Sequence, residues 1–459
     1  MTIGRKMVIW LLVLDIYALA VVFNVVGWIW GVGDLHRPVI DPLALPLATF
    51  VIAVFLIDGY RQRTDMAGLD YTSMHAIALV AAMAATLLIT FTLLPPGFTL
   101  QQSRGVVAVS FALLIPITLS YRRWIHLRYI SERRDRRLVF IGDSTSRETF
   151  RAECERAGMK QDVIYVSSRA ADPSSPGSSR ETSTPMEPLD IVLSDIEHGR
   201  LPVEAIVLRE SSRDLRNDAT QRLVDFYFAG IPTYTLELFH QVYWRKIPLY
   251  RLNQTWLFQE GFRVAREPVF ERIKRLTDVV FSLVGLAAGA PVLLLAGIAI
   301  WCEDRGPVFF RQRRIGRHRT PFTLYKLRTM RVQTDGALYT ATGDSRITRV
   351  GRFLRASRID EIPQLLNVLG GRMSLIGPRA EWDRLVNDYE KQIPCYHFRH
   401  LVRPGITGWA QVNYPYGASL EDTLRKLEYD LYYIRHFSFT LDASIILKTI
   451  HVMLFGRGR

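Results

Sequence analysis

Cysteine is scarce: Cys154, Cys302 and Cys395 are the only three in 459 residues, and they are scattered without metal-ligand spacing. That argues against a zinc module and a disulfide scaffold, and it fits a reducing compartment. Acidic residues are also in deficit, 44 against 58 lysines and arginines, for a formal net charge of +14. No helix-turn-helix, zinc-finger or RNA-recognition pattern accompanies this basic balance, so the expected partners are anionic membrane lipids and phosphorylated ligands, with no nucleic acid. Glycine is short where it would matter most for dinucleotide binding. The turn Gly142-Asp143-Ser144-Thr145-Ser146-Arg147 keeps one glycine where a dinucleotide fingerprint needs three, and Asp143 would put a negative charge beside a pyrophosphate.

The remaining deficit is charge of either sign between Val279 and Trp301. About 23 uncharged residues form a helix about 35 Å long, enough to cross a bilayer. The flanks disagree with a simple crossing. Arg263, Arg266, Arg272, Lys274 and Arg275 precede the run, while Arg305, Arg311, Arg313, Arg314, Arg317 and Arg319 follow it. A spanning helix carries that cytoplasmic mark at one end only. Pro291 near the middle, helped by Gly285 and Gly289, favours a bend. The expectation is a re-entrant membrane helix over 276–301 that breaks at Pro291 and returns to the side it came from.

Four other apolar runs, 7–30, 43–57, 74–94 and 105–121, read as transmembrane helices within residues 1–123. Arg61 and Arg63 lie between the second and third, and Arg122, Arg123, Arg128, Arg133, Arg134, Arg136 and Arg137 follow the fourth, which puts both ends of this bundle in the cytoplasm. Asp15 is an acid deep in the first run, read as a helix-packing group. From residue 137 the pattern changes. Strands at 138–141, 162–167, 205–208 and 231–235 alternate with helices at 147–158 and 217–229, as in a degenerate Rossmann-like domain over 137–236. Its broken glycine turn points to a structural or regulatory role, and the Ser/Pro-rich stretch 170–188 reads as a mobile loop. Residues 237–266 form a linker.

Groups that handle phosphate concentrate in a domain over 267–459. In Tyr325-Lys326-Leu327-Arg328-Thr329-Met330, strand alternation puts Lys326 and Arg328 on one side, where together they grip phosphate oxygens. In Arg355-Ala356-Ser357-Arg358-Ile359-Asp360-Glu361-Ile362-Pro363-Gln364, two adjacent carboxylates stand among arginines. One can attack phosphorus to form an acyl phosphate, and the other can hold Mg²⁺ together with substrate phosphates. Gly377-Pro378-Arg379 presents an arginine on a rigid turn, and the Gly-rich loop 403–412 carries Arg403 and Trp409, the latter expected on a base or at the membrane interface. A capping-box-like start at 419–422 opens a helix with Leu420, Leu424, Leu427 and Leu431 on one face. The apolar run 441–455, short for a span, reads as a docked or interfacial helix.

In this order the motifs resemble the bacterial sugar transferases, the monotopic phosphoglycosyl transferases, over about residues 267–455. With the preceding spans and the middle domain, the chain is similar to the large form of that family, the exopolysaccharide polyprenyl glycosylphosphotransferases. The resemblance implies a bacterial inner-membrane, multi-pass enzyme whose catalytic domain faces the cytoplasm. It would move a sugar 1-phosphate from a UDP-sugar to undecaprenyl phosphate and release UMP, initiating exopolysaccharide or O-antigen synthesis. It places the nucleophile at Asp360, the Mg²⁺ partner at Glu361, and phosphate-binding basic residues at Lys326, Arg355 and Arg379, beside which Arg328, Arg358 and Arg403 are candidates; it also implies a homodimer. Ala290, Arg372 and Ala380 depart from the commonest family pattern, which bears on the membrane bend, sugar preference and loop geometry. The contrasting readings are a glycosyltransferase that moves the sugar alone and releases UDP, a non-catalytic scaffold or regulator of polysaccharide assembly, and a Rossmann sugar-modifying redox enzyme, which the broken glycine turn opposes.

Overall fold

A computed structural model describes residues 3–32, 41–61, 64–93, 104–133, 136–159, 161–167, 187–209, 215–249, 268–331, 344, 346–415, 417 and 419–455. The chain folds into two compact units, Met1–Arg123 with Leu249–Arg459, and Trp124–Pro248. The expected basic flanks Arg263 and Arg266 and most of the linker lie outside the described residues, as do Arg63, Arg134 and all but the last two residues of the stretch 170–188.

The first unit opens with helices α1 (Ile3–Ile29), α2 (Ala44–Leu56), α3 (Leu69–Thr92) and α4 (Arg104–Arg133), the last of which belongs to it as far as Arg123. Among the described residues, four helices are long and apolar enough to cross a membrane: Met7–Ile29, Leu69–Thr92, Arg104–Arg128 and Val269–Asp304. The chain is therefore a membrane protein of mixed helix and sheet. The expected second span is not among the four. α2 has 13 residues, about 20 Å at the helical rise, and the chain leaves it through Asp58 at a left-handed φ of 60°.

Asp15 in α1 has acquired partners. It is fully buried and accepts from Tyr60 Oη at 2.6 Å, from Tyr121 Oη and from the Arg122 guanidinium, which also donates to the Gly59 carbonyl at 2.6 Å. An acid inside a membrane bundle is stable only when such donors surround it, so Asp15 fastens α1 to α4 and to the turn after α2.

The second unit is an α/β sandwich. Strands β1 (Arg137–Gly142), β2 (Val163–Ser167), β3 (Glu187–Pro188), β4 (Val203–Leu208) and β5 (Thr233–Thr235) form one parallel sheet in the order β3-β2-β1-β4-β5. Between them run α5 (Ser144–Arg156), α6 (Leu189–Glu197) and α7 (Asn217–Phe228), with α8 (Leu236–Phe239) after β5. The central strands β1 and β4 are apolar almost throughout because helices cover both faces. At the turn after β1, Asp143 caps α5 by accepting from Ser146 N at 2.8 Å and pairs with Arg209. The protein's own carboxylate thus holds the anion seat that a phosphate occupies at such a helix start.

The first unit resumes with α9 (Pro268–Asp304), a single 37-residue helix. The break expected at Pro291 is not formed. Proline removes only the one amide that would bond Ala287, and the surrounding alanines and leucines carry the helix through. Gly285 and Gly289 act as contact points instead, because any Cβ there would stand 3.0 Å from Leu365 and 3.2 Å from Ile362.

After α9 come the antiparallel hairpin β6 (Phe309–Ile315) and β7 (Pro321–Leu327), then α10 (Arg349–Ser357), a 3-10 turn Ile359–Glu361, and α11 (Gln364–Leu369). β8 (Ser374–Ile376), α12 (Asp383–Gln392), β9 (Gly405–Thr407), α13 (Trp409–Asn413), α14 (Leu420–Arg435) and α15 (Phe439–Phe455) complete it, with β8 parallel to β9. The capping box at Ser419 and Asp422 forms. α15 docks on the membrane helices, where Ser73 of α3 meets His451 Nδ1 at 3.0 Å.

This domain grips α9 from end to end. Near its start Lys274 donates to Asp442 at 2.6 Å, Arg275 donates to the carbonyls of Val368 and Leu369 at the end of α11, and Asp278 accepts from Ser374 Oγ and Leu375 N. Near its finish Ala296 and Ile300 pack with Leu327 and Leu354, Glu303 accepts from the first amides of α10, and Asp304 pairs with Arg328. The other side of α9 is exposed and apolar, including Leu276, Phe281, Val284, Leu294, Leu295 and Ile298.

Candidate active site

The two adjacent carboxylates are delivered by a sharp corner. α10 ends at Ser357 and is capped by Arg358, which takes a left-handed φ of 59°, so the chain turns abruptly into the 3-10 turn that carries Asp360 and Glu361. Pro363 follows in the first helical turn, where its missing amide costs no hydrogen bond, and α11 then runs to Leu369. Both carboxylates are buried, Asp360 at 7% exposure and Glu361 at 9%.

Burial raises the pKa of any carboxylate, and neighbours decide what remains. For Glu361, Lys326 and then Arg379 outweigh burial and hold its pKa at about 2. Lys326 Nζ donates to Glu361 Oε1 at 2.6 Å, and Arg379 stands 3.9 Å from the same oxygen. Asp360 is raised above its ordinary value by burial, opposed by Lys326, reinforced by the Glu361 charge and opposed again by Arg355 and Arg358. Its Oδ1 is buried without a hydrogen-bond partner. Glu361 is thus a fixed anion, and Asp360 a desolvated carboxylate facing cations, the condition in which a carboxylate is a usable nucleophile toward an anionic phosphorus centre.

The basic residues expected around the phosphates divide into two groups. Lys326, Arg355, Arg358 and Arg379 converge electrostatically on the carboxylates. Arg355 is aimed by Thr329, whose hydroxyl accepts from Nε at 2.8 Å. Gly351 makes this possible, since a Cβ there would overlap the Thr329 backbone. Arg328 and Arg403 bind elsewhere. β7 ends at Leu327, and Arg328 turns to Asp304 beneath Gly306, while Arg403 pairs with Glu271 at 3.3 Å near the start of α9. Trp409, expected on a base or at the membrane surface, is a core residue at 2% exposure, stacked on Tyr432 with Lys448 over its ring.

Arg379 is positioned by close backbone contact. Gly377 and Gly405 abut so closely that a Cβ on either would strike the other's backbone, and Arg379 bridges to Gly405. Asn367 was not singled out from sequence, yet it secures the site: its amide donates to Thr323 O at 2.7 Å and its oxygen accepts from Tyr325 N at 3.0 Å, holding α11 on β7. The available signal was a lone polar residue inside the apolar stretch 365–369.

For Mg²⁺, no group of three or more His, Cys, Asp or Glu gathers among the described residues. The ion takes one or two carboxylates and completes its shell with water and substrate phosphates, so Glu361 beside the unpartnered Asp360 Oδ1 is a donor set that fits it.

A bacterial sugar transferase family model matches residues 269–456. The chain is 37% identical over 262 residues to a UDP-N-acetylgalactosamine-undecaprenyl-phosphate N-acetylgalactosaminephosphotransferase of Aeromonas hydrophila, covering 57% of this chain and 61% of that protein. It is 44% identical over 191 residues to a UDP-glucose:undecaprenyl-phosphate glucose-1-phosphate transferase of Xanthomonas campestris pv. campestris, covering 40% of each. A protein of the same description from Caulobacter vibrioides is 45% identical over 185 residues, covering 39% of this chain and 69% of that one. The chain therefore matches less than two thirds of the length of the first two relatives.

Proposed function

The chain belongs to the bacterial sugar transferase family, and from that premise we propose that it transfers a sugar 1-phosphate from a UDP-sugar to undecaprenyl phosphate, giving undecaprenyl-diphosphate sugar and UMP. The observation that carries the reading is the buried pair itself, with Asp360 facing Lys326, Arg355 and Arg358 while Lys326 and Arg379 keep Glu361 ionised.

In the first half-reaction an Asp360 carboxylate oxygen attacks the phosphorus bound to the sugar. The bond to the α-phosphate breaks, its electron pair leaves on UMP, and a phosphosugar remains as an acyl phosphate on Asp360. In the second, a phosphate oxygen of undecaprenyl phosphate attacks the same phosphorus and the Asp360 carboxylate departs. Splitting the transfer lets two anionic substrates meet the cationic site one at a time. Lys326, Arg355, Arg358 and Arg379 lower the repulsion at each approach. Glu361, with Asp360 beside it, would hold Mg²⁺, which supplies charge neutralisation across the diphosphate when bound.

The same reading keeps both ends of α9 on the cytoplasmic face of the inner membrane, as one unbroken helix and not as the expected helix-break-helix. Its support is the continuous grip of one domain on α9, from Lys274 and Arg275 to Asp304, with the apolar face turned away. It also includes a Rossmann-like middle domain, supported by the parallel order β3-β2-β1-β4-β5, that binds no dinucleotide, and a homodimer, which light scattering of the purified chain measures. The test of the reaction is incubation of purified protein with undecaprenyl phosphate, Mg²⁺ and UDP-glucose or UDP-N-acetylgalactosamine. UMP is the expected by-product; release of UDP would mark a transferase of the sugar alone, and unchanged turnover by Asp360→Asn would remove Asp360 from the chemistry.

A further inference from the structure

Two buried side-chain atoms in the stretch 359–369 have no hydrogen-bond partner: Asp360 Oδ1, already assigned above, and Gln364 Nε2. Gln364 is only 3% exposed. Folded proteins pair nearly all buried amide groups, so an orphaned donor beside a reactive carboxylate marks a place where something outside the chain supplies the acceptor.

The position of Gln364 is fixed by its neighbours. Ile362 and Pro363 keep helical dihedrals between the 3-10 turn and α11, so Glu361, Gln364, Asn367 and Val368 recur at three- and four-residue spacing along one face. Both ends of that row are fastened to β7, Glu361 through Lys326 and Asn367 through the backbone of Thr323 and Tyr325. Gln364 stands between these fastenings, one turn on from Asp360. An amide nitrogen donates and cannot ligate a cation, so its complement is an acceptor oxygen. Among these cations, one turn from the nucleophile, that acceptor is a phosphoryl oxygen.

Resting on the reaction proposed above, we infer that Gln364 is a further catalytic residue, whose Nε2 donates to a non-bridging oxygen of the phosphoryl group as it moves onto and off Asp360. Gln364 makes and breaks no covalent bond; it orients the group and shares its charge.

The test uses the purified full chain with undecaprenyl phosphate, Mg²⁺ and UDP-glucose or UDP-N-acetylgalactosamine, following UMP. Gln364→Met keeps length and volume but has no donor. UMP release should fall about ten- to a hundred-fold, the range for a hydrogen bond to a charged group, while Tm stays level or rises because an unpaired buried dipole is gone. A purely structural glutamine predicts the opposite, a lower Tm with wild-type turnover per folded molecule. Gln364→Glu, which keeps the shape and replaces the donor with an acceptor, should lose at least as much. Wild-type turnover by either folded variant overturns the inference while leaving the reaction standing. If the wild-type chain releases no UMP from either donor, the reaction fails and this role fails with it.

Discussion

Lys326 and Glu361, 35 residues apart, form a buried ion pair in which the ammonium donates to Oε1 at 2.6 Å. The pair joins the hairpin strand β7 to the turn that carries Asp360, so one contact sets both the position and the charge of the site.

Lys326→Met should therefore damage stability as well as turnover. It leaves a buried carboxylate with Arg379 at 3.9 Å as its remaining ion-pair partner among the described residues, and removal of one partner from such a pair costs about 3–5 kcal/mol. Because the Glu361 pKa is depressed to about 2, the contribution is full above the unfolded value of roughly 4.3 and disappears as pH falls through about 2. Denaturant unfolding should show a large gap between wild type and variant at pH 7, narrowing below about pH 4; an equal gap at pH 7 and pH 3 would contradict the assignment.

The acid limb of activity should belong to Asp360. Its pKa is raised, chiefly by burial, so the carboxylate form that the proposed reaction requires is lost at a higher pH than an ordinary aspartate would allow. Arg355 pulls that pKa down, and Arg355→Met should therefore move the acid limb of kcat/KM for UMP release to higher pH as well as lowering its plateau. A limb that stays in place would detach Arg355 from Asp360.

Within the membrane helices, Asp15→Asn should cost about 3–5 kcal/mol by leaving Arg122 buried without its anion. The readout is the Tm of detergent-solubilised protein. Replacing both together, Asp15→Asn with Arg122→Met, should recover part of the loss, because the uncompensated charge is then gone.

Much of this was legible in the sequence, and the gaps have a common cause. Apolar runs announced α1, α3, α4 and α9, and motif spacing brought Lys326, Arg355, Arg358 and Arg379 to the neighbourhood of Asp360 and Glu361. Sequence could not say which carboxylate each arginine would meet. Asp15 finds Arg122 across 107 positions, and Arg328 is drawn to Asp304 because β7 stops one residue short of it. Trp409 looked like a ligand-facing aromatic, but only the packing of α14 and α15 reveals it as core. Proline marks a favourable site for a bend, yet α9 runs through Pro291 as one helix even with Gly285 and Gly289 before it.

The membrane placement of α9 has its own check. In a background with Cys302 replaced, Val269→Cys and Arg313→Cys put single thiols at exposed positions on either side of the apolar stretch. Both should be shielded from an impermeant thiol reagent in intact cells and react once the membrane is opened. Labelling at position 313 alone in intact cells would make α9 a spanning helix.

The most direct test of the central claim is single-turnover mass spectrometry. Purified chain is mixed with UDP-glucose or UDP-N-acetylgalactosamine in the absence of undecaprenyl phosphate, quenched and digested. The account predicts one equivalent of UMP per active site and a hexose-phosphate or N-acetylhexosamine-phosphate adduct on the peptide bearing Asp360, discharged on adding undecaprenyl phosphate. Full turnover with undecaprenyl phosphate present, but neither adduct nor UMP without it, would mean that the two substrates react directly and that Asp360 is not the nucleophile.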